Sequence, residues 1–238
     1  MAQHTQPVVY ILHGWAVDPQ NEQKWQAVRD ILHTNGIRTV FVGLPGLTIP
    51  LPEEKPWTLD DYEAWLAEYL PGEPVILLGH SFGGQLAVRF TARHPERVSQ
   101  LILIASSGIR DLSFAAQTKR RLFWLAAKVG KVVSFVPGAR ALLYKLAREK
   151  DYYTAPPVMR QTMSNVISEE ILTDIYSIEV HTLLIWGSHD TITPVKNVQY
   201  FKKIPHIETR IISAARHSPQ FTHPETVGQF ITTFLDSQ

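Results

Sequence analysis

Apolar residues fall along this chain in two alternating rhythms. Compact runs at Val8–Leu12, Ile37–Val42, Val75–Leu78, Val98–Ile104, Leu183–Trp186 and Thr209–Ile212 are rich in β-branched residues and too short for buried helices. They read as strands covered on both faces. Between them, Glu22–His33, Leu59–Leu70, Phe82–Arg93, Val195–Lys203 and Thr226–Leu235 place apolar residues three or four positions apart and read as amphipathic helices. Thr58 supplies an N-cap for the second of these. Such alternation predicts an α/β domain: a mostly parallel sheet of about six strands with helices on both faces. Reactive groups in such sheets gather beyond the carboxyl ends of the strands.

The rhythm stops after Ile104. From 108 to 176 helical periodicity continues with few strand signals, which predicts a helical cap inserted into a core formed by 1–107 and 177–238. Charge is divided along the same line. Ile109–Asn165 holds eleven Lys and Arg against three acids, so the remainder of a chain of net charge +1 is acidic. Charge runs are most often solvated helix faces. The same surplus offers an attachment for an anionic partner, a carrier protein among them, or for an anionic membrane surface. No interleaved aromatic–basic motif points to nucleic acid.

Composition narrows the classes further. With 238 residues, 45% of them hydrophobic, the chain has enough apolar surface for one full core and is not disordered. It has no cysteine, which removes disulfides, thiolate metal sites and a thiol nucleophile. The first apolar run is five residues long after a start without Lys or Arg, unlike a secretory signal, and no run is long enough to span a bilayer. The expectation is a soluble cytoplasmic protein.

The strongest chemical signal is Gly79-His80-Ser81-Phe82-Gly83, G-x-S-x-G between an apolar strand and a helix. A turn this tight forces the central residue into a strained backbone, and residues two positions away must be glycine or very small. It would present the Ser81 hydroxyl above the sheet at the positive end of a helix. The plainer alternative is a glycine-rich turn with Ser81 as N-cap. A nucleophilic serine needs a base and an orienting carboxylate, and in the fold type with such a strand–turn–helix elbow the chain order is Ser, acid, His. Asp190 follows the strand ending at Trp186, and His217 follows the strand ending at Ile212. Asp174, at the border of the cap, is the second choice for the acid. His189, His94 and His223 read as surface or capping residues. His13-Gly14-Trp15 follows the first strand. The Trp15 N–H would join that of Phe82 as the oxyanion donors, with His13 buttressing the loop.

Taken in order, His13-Gly14-Trp15, Gly79-His80-Ser81-Phe82-Gly83-Gly84, Gly187-Ser188-His189-Asp190 and His217 resemble the α/β-hydrolase superfamily. Within it the chain is similar to small carboxylesterase-like enzymes, a group with pimeloyl-ester carrier-protein esterases, enol-lactonases and meta-cleavage C–C hydrolases. One departure is expected: many members have an antiparallel hairpin before the first of these motifs, and here seven residues precede Val8. The resemblance implies the α/β-hydrolase fold, a Ser81–His217–Asp190 triad, no cofactor and no metal. Serine at position 81 sets the chain apart from relatives with a carboxylate nucleophile, and the lack of cysteine from dienelactone-hydrolase-like enzymes. Gly-His-Ser-Phe-Gly also differs from the Gly-Gly-Ser-Trp-Gly usual in proline iminopeptidases.

The expected reaction is hydrolysis of a small-molecule carboxylic ester of small to medium acyl chain through an acyl-enzyme. The alternatives are a lactonase, a C–C hydrolase (those relatives usually carry Asn where this chain has His80) and a non-catalytic ligand receptor on the same fold. Trp15, Phe82, Phe123 and Trp124 are the candidates for contact with the substrate. The aromatics of the cap, Phe114, Phe135, Tyr144, Tyr152 and Tyr153 among them, fit ordinary helix packing equally well.

Overall fold

In a computed structural model of the chain, residues 7–109 and 156–237 are described. Six strands form one sheet: β1 (Val8–Leu12), β2 (Arg38–Val42), β3 (Val75–His80), β4 (Val98–Ile104), β5 (His181–Gly187) and β6 (Ile207–Ile212). Their order is β2-β1-β3-β4-β5-β6, and every pair is parallel. The helices are α1 (Asn21–Lys24), α2 (Gln26–Thr34), α3 (Leu59–Tyr69), α4 (Phe82–Arg93), α5 (Pro157–Ser168), α6 (Leu172–Tyr176), α7 (Val198–Phe201), α8 (Pro219–Thr222) and α9 (Pro224–Asp236). None of the described helices is long and apolar enough to cross a membrane.

The strand order has a direct consequence for the site. From β1 the chain moves outward to β2, then returns to the other side of β1 as β3. Right-handed crossovers in opposite directions put their helices on opposite faces. Accordingly α2 packs with the C-terminal α9, while α3 packs with α4. The reversal leaves a crevice beyond the carboxyl ends of β1 and β3, where ligands bind in doubly wound sheets. β3 and β4 are central, and the buried β3 residues Val75, Ile76, Leu77 and Leu78 face apolar layers on both sides.

Strands β1 and β4 and helix α4 have the bounds predicted from periodicity. β3 runs two residues further than its apolar run, because the ladder pairs Gly79 with Leu103 and His80 with Ile104 despite their low strand preference. The helix predicted over Glu22–His33 is divided at Trp25. The Trp25 ring is fully buried, edge-on to His80 and Phe221, and this packing outweighs continuous helix. The segment predicted as a helix over Val195–Lys203 begins instead as a 3₁₀ turn, Val195–Asn197, after an extended Pro194.

Of the predicted cap, α5 and α6 are described, and 110–155 lie outside the described residues together with Phe123, Trp124 and most of the basic surplus. α5 and α6 are fastened to α4 by polar contacts. Gln85 Nε2 donates to the Val166 carbonyl at 3.1 Å. Arg89 donates through Nε to Asp174 at 2.6 Å and pairs with Asp60 at 2.5 Å and Glu169 at 3.5 Å. Asp174 is thus committed to Arg89, while the carboxylate beside His217 belongs to Asp190.

Candidate active site

Ser81 sits in the turn from β3 to α4 with φ 52° and ψ −113°. This backbone region costs a side-chain-bearing residue about 1–3 kcal/mol and persists only when its surroundings impose it. They do so here. The Ser81 N–H donates to the Ile104 carbonyl at 3.1 Å, and the Ser81 carbonyl accepts from Gln85 N and Ser107 N, each at 3.0 Å. Gly83 allows α4 to press on the end of β1: a Cβ there would collide with the Leu12 and His13 carbonyls, both backbone groups that cannot swing away. Gly83→Ala should therefore destabilise the fold by about 3 kcal/mol or more. The check is the urea midpoint.

The structure brings Ser81, His217 and Asp190 together from three different loops. Ser81 Oγ lies 2.9 Å from His217 Nε2, and His217 Nδ1 lies 2.9 Å from Asp190 Oδ2. A carboxylate only accepts, so Nδ1 carries the proton and Nε2 is left to accept from Ser81. Asp190 is buried. Its Oδ1 accepts from the Ile192 and Thr193 N–H groups at 2.8 and 3.0 Å, and its Oδ2 also accepts from the Thr193 hydroxyl at 2.8 Å. Burial pushes its pKa upward, but the bonds from His217, Thr193 and Ile192 outweigh burial and hold it below the usual carboxylate value. Asp190 is therefore ionised at neutral pH. His189, its neighbour, is exposed.

The loop after β1, which carries His13, Gly14 and Trp15, lies beside this group, since β1 and β3 are paired with Leu12 opposite Gly79. Among the described residues no acceptor takes the Trp15 or the Phe82 N–H. The Phe82 ring is only 3% exposed and packs edge-on against Trp15 and Tyr62. Trp15 is partly exposed.

Two buried histidines brace these loops. His13 Nδ1 donates to the Gly14 carbonyl at 2.7 Å, and its Nε2 accepts from Leu44 N–H at 3.3 Å, with Thr48 Oγ1 at 3.1 Å. His80 Nε2 donates to the His217 carbonyl at 3.1 Å, and its ring lies against Gly14. The residue before the serine thus touches both the loop after β1 and the loop of His217. This role is not visible in a G-x-S-x-G pattern, because His217 lies 137 residues away. Burial lowers the pKa of His13 to about 4. Burial, with the adjacent His217, lowers that of His80 to about 3.

These two shifts give a sign for acid stability. Below the unfolded value near 6.5 the unfolded chain binds protons at both positions that the folded chain refuses. Stability is therefore lost as pH falls from about 6.5 toward the folded values. Denaturant unfolding should show a drop of about 3–4 kcal/mol between about pH 7 and pH 5. A flat profile would contradict neutral buried imidazoles.

A serine held at positive φ between a central strand and a helix, at the switch point of a parallel sheet, defines a class of α/β protein. This chain belongs to the α/β-hydrolase family, whose model matches residues 9–229. It is 26% identical to the biotin biosynthesis bifunctional protein of Teredinibacter turnerae over 99% of this chain and 46% of that protein. It is 27% identical to 2-hydroxymuconate semialdehyde hydrolase of Pseudomonas putida, over 67% of this chain and 61% of that enzyme. In both cases it spans less than two thirds of the relative's length. Similarity to the pimeloyl-[acyl-carrier protein] methyl ester esterase of Nitrosospira multiformis is 25% identity over 92% of this chain and 90% of the other. A methyl ester esterase and a semialdehyde hydrolase are thus among the proteins this family member resembles.

Proposed function

We propose that this protein is a serine hydrolase that cleaves carboxylic esters of small to medium acyl chain. The observation that carries the reading is the pair of 2.9 Å contacts joining Ser81 Oγ, His217 and Asp190 at a strained elbow. Ser81 Oγ attacks the ester carbonyl carbon as its proton passes to His217 Nε2. Asp190 holds the Nδ1–H tautomer and stabilises the imidazolium. The carbonyl oxygen becomes an oxyanion facing the N–H groups of Trp15 and Phe82, helped by the positive end of α4. Collapse of the intermediate expels the alcohol, which takes the proton from His217, and leaves an acyl group on Ser81. Water then loses a proton to His217 and attacks the acyl carbon, and collapse of this second intermediate releases the acid as His217 returns the proton to Ser81 Oγ.

A second reading, C–C bond hydrolysis, is favoured by the similarity to 2-hydroxymuconate semialdehyde hydrolase. Turnover of a p-nitrophenyl ester chain-length series, alongside a lactone and a vinylogous 2-hydroxy-6-oxo-dienoate, separates the readings. Release of p-nitrophenol from the shorter esters, with the dienoate left intact, is the expected result. Faster loss of the dienoate than of any ester would assign C–C hydrolysis. Tight binding without turnover would assign a receptor.

A further inference from the structure

Asp190 and His217 share a third partner that the proposed reaction leaves unused. The Thr193 hydroxyl is buried, 2.8 Å from Asp190 Oδ2, 3.2 Å from His217 Nδ1 and 3.1 Å from the Ala105 carbonyl. Its one proton cannot serve both Asp190 and Ala105. The shorter distance and the negative charge direct it to the carboxylate. The Thr193 oxygen then turns a lone pair toward His217 Nδ1, so that the Nδ1–H lies between two acceptors. With the Ile192 and Thr193 N–H groups on Oδ1, Asp190 receives four donors, about as many as a carboxylate accommodates.

The hydroxyl is itself well fixed. Branching at Cβ restricts its rotamer. The Thr193 carbonyl accepts from Trp186 Nε1 at 2.7 Å, tying the residue to the end of β5. Ala105, whose carbonyl can take the hydroxyl proton in its place, follows β4 at φ 47°, and its N–H donates to the Ile185 carbonyl at 3.0 Å. Thr193 is therefore anchored through its main chain to the end of β5.

We propose that Thr193 is a positioning residue of the acid–base pair: its hydroxyl holds Asp190 and His217 in register by donating to Oδ2 and accepting from Nδ1–H. The effect on rate rests on the serine-hydrolase reading above; the effect on His217 does not. Among the described residues, the titratable groups facing His217 are Asp190 and His80, with His13 behind His80.

The test compares Thr193→Val, which keeps the shape and removes the hydroxyl, with Thr193→Ser, which keeps the hydroxyl. Thr193→Val should lower kcat on a p-nitrophenyl ester about 10- to 100-fold with little change in KM. Thr193→Val takes a donor from Oδ2 and an acceptor from Nδ1–H at once, so the acid limb of kcat/KM should be displaced by about 0.5–1 pH unit. Thr193→Ser should restore both. An NMR titration of His217 should show the same displacement in Thr193→Val whether or not esters are turned over. It thus decides the proposal even if ester hydrolysis fails. Should Thr193→Val not fold, Thr193→Ala against Thr193→Ser makes the same comparison. An unchanged His217 titration without the hydroxyl overturns the proposal. So does a serine variant as impaired as the valine variant, which would assign the role to the methyl group.

Discussion

Ser81→Ala should lower kcat for p-nitrophenyl ester hydrolysis by up to about 10⁶ while leaving the fold in place. Alanine keeps the Cβ, so the backbone at φ 52° is neither relieved nor further strained, and its bonds to Ile104, Gln85 and Ser107 are made by main-chain atoms. The loss falls on the chemistry. With no Oγ, His217 Nε2 has nothing to deprotonate except water, and no acyl-enzyme forms. What remains is binding and the oxyanion donors, which in triad enzymes still give roughly 10³–10⁴ over the uncatalysed rate. Rates by p-nitrophenol release, with melting temperature as the control for folding, decide the matter. A variant that folds and turns over esters at the wild-type rate would place the nucleophile elsewhere.

Asp190→Asn should cost about 10⁴ in kcat. The size follows from which atom the new amide can turn toward His217. At Oδ1 the carboxylate accepts two backbone N–H groups, from Ile192 and Thr193, and only an oxygen can stay there. The amide NH₂ is therefore forced to the Oδ2 position, where it donates to His217 Nδ1 at the 2.9 Å contact. Nδ1 must then be the unprotonated nitrogen. The proton moves to Nε2, and Nε2 can no longer accept from Ser81 Oγ. An intact site in the wrong tautomer is the expected state, visible in the ¹⁵N shifts of His217. A variant with both wild-type tautomer and wild-type rate would remove Asp190 from the proposed mechanism.

Much of the fold was legible along the chain, for local reasons. Strands buried on both faces must be continuously apolar, and β1 and β4 were bounded correctly on that ground. Helix α3 begins where Thr58 suggested, and its cap is a full box: Asp61 N–H donates to Thr58 Oγ1 at 3.2 Å while the Asp61 carboxylate accepts from Thr58 N–H at 2.7 Å. The elbow was legible because its two glycine constraints lie within two residues of Ser81. The division of the first predicted helix at Trp25 was not, since the rings that receive Trp25 are His80 and Phe221, far along the chain.

The candidate site divides in the same way. Sequence alone determined the kind of groups present: a serine between glycines at a strand–helix junction, an acid and a histidine after later strands, no thiol. Those are properties of residue type and of spacing within one turn. It left Asp174 beside Asp190 as a choice of acid. Packing settled which carboxylate stands next to His217, because Arg89 takes Asp174 and the β5 end delivers Asp190. Packing also placed His80 under the His217 carbonyl and the Thr193 hydroxyl against the acid–base pair. Hydrogen bonds act over about 3 Å, and only the parallel order β1-β3-β4-β5-β6 brings the ends of those strands that close.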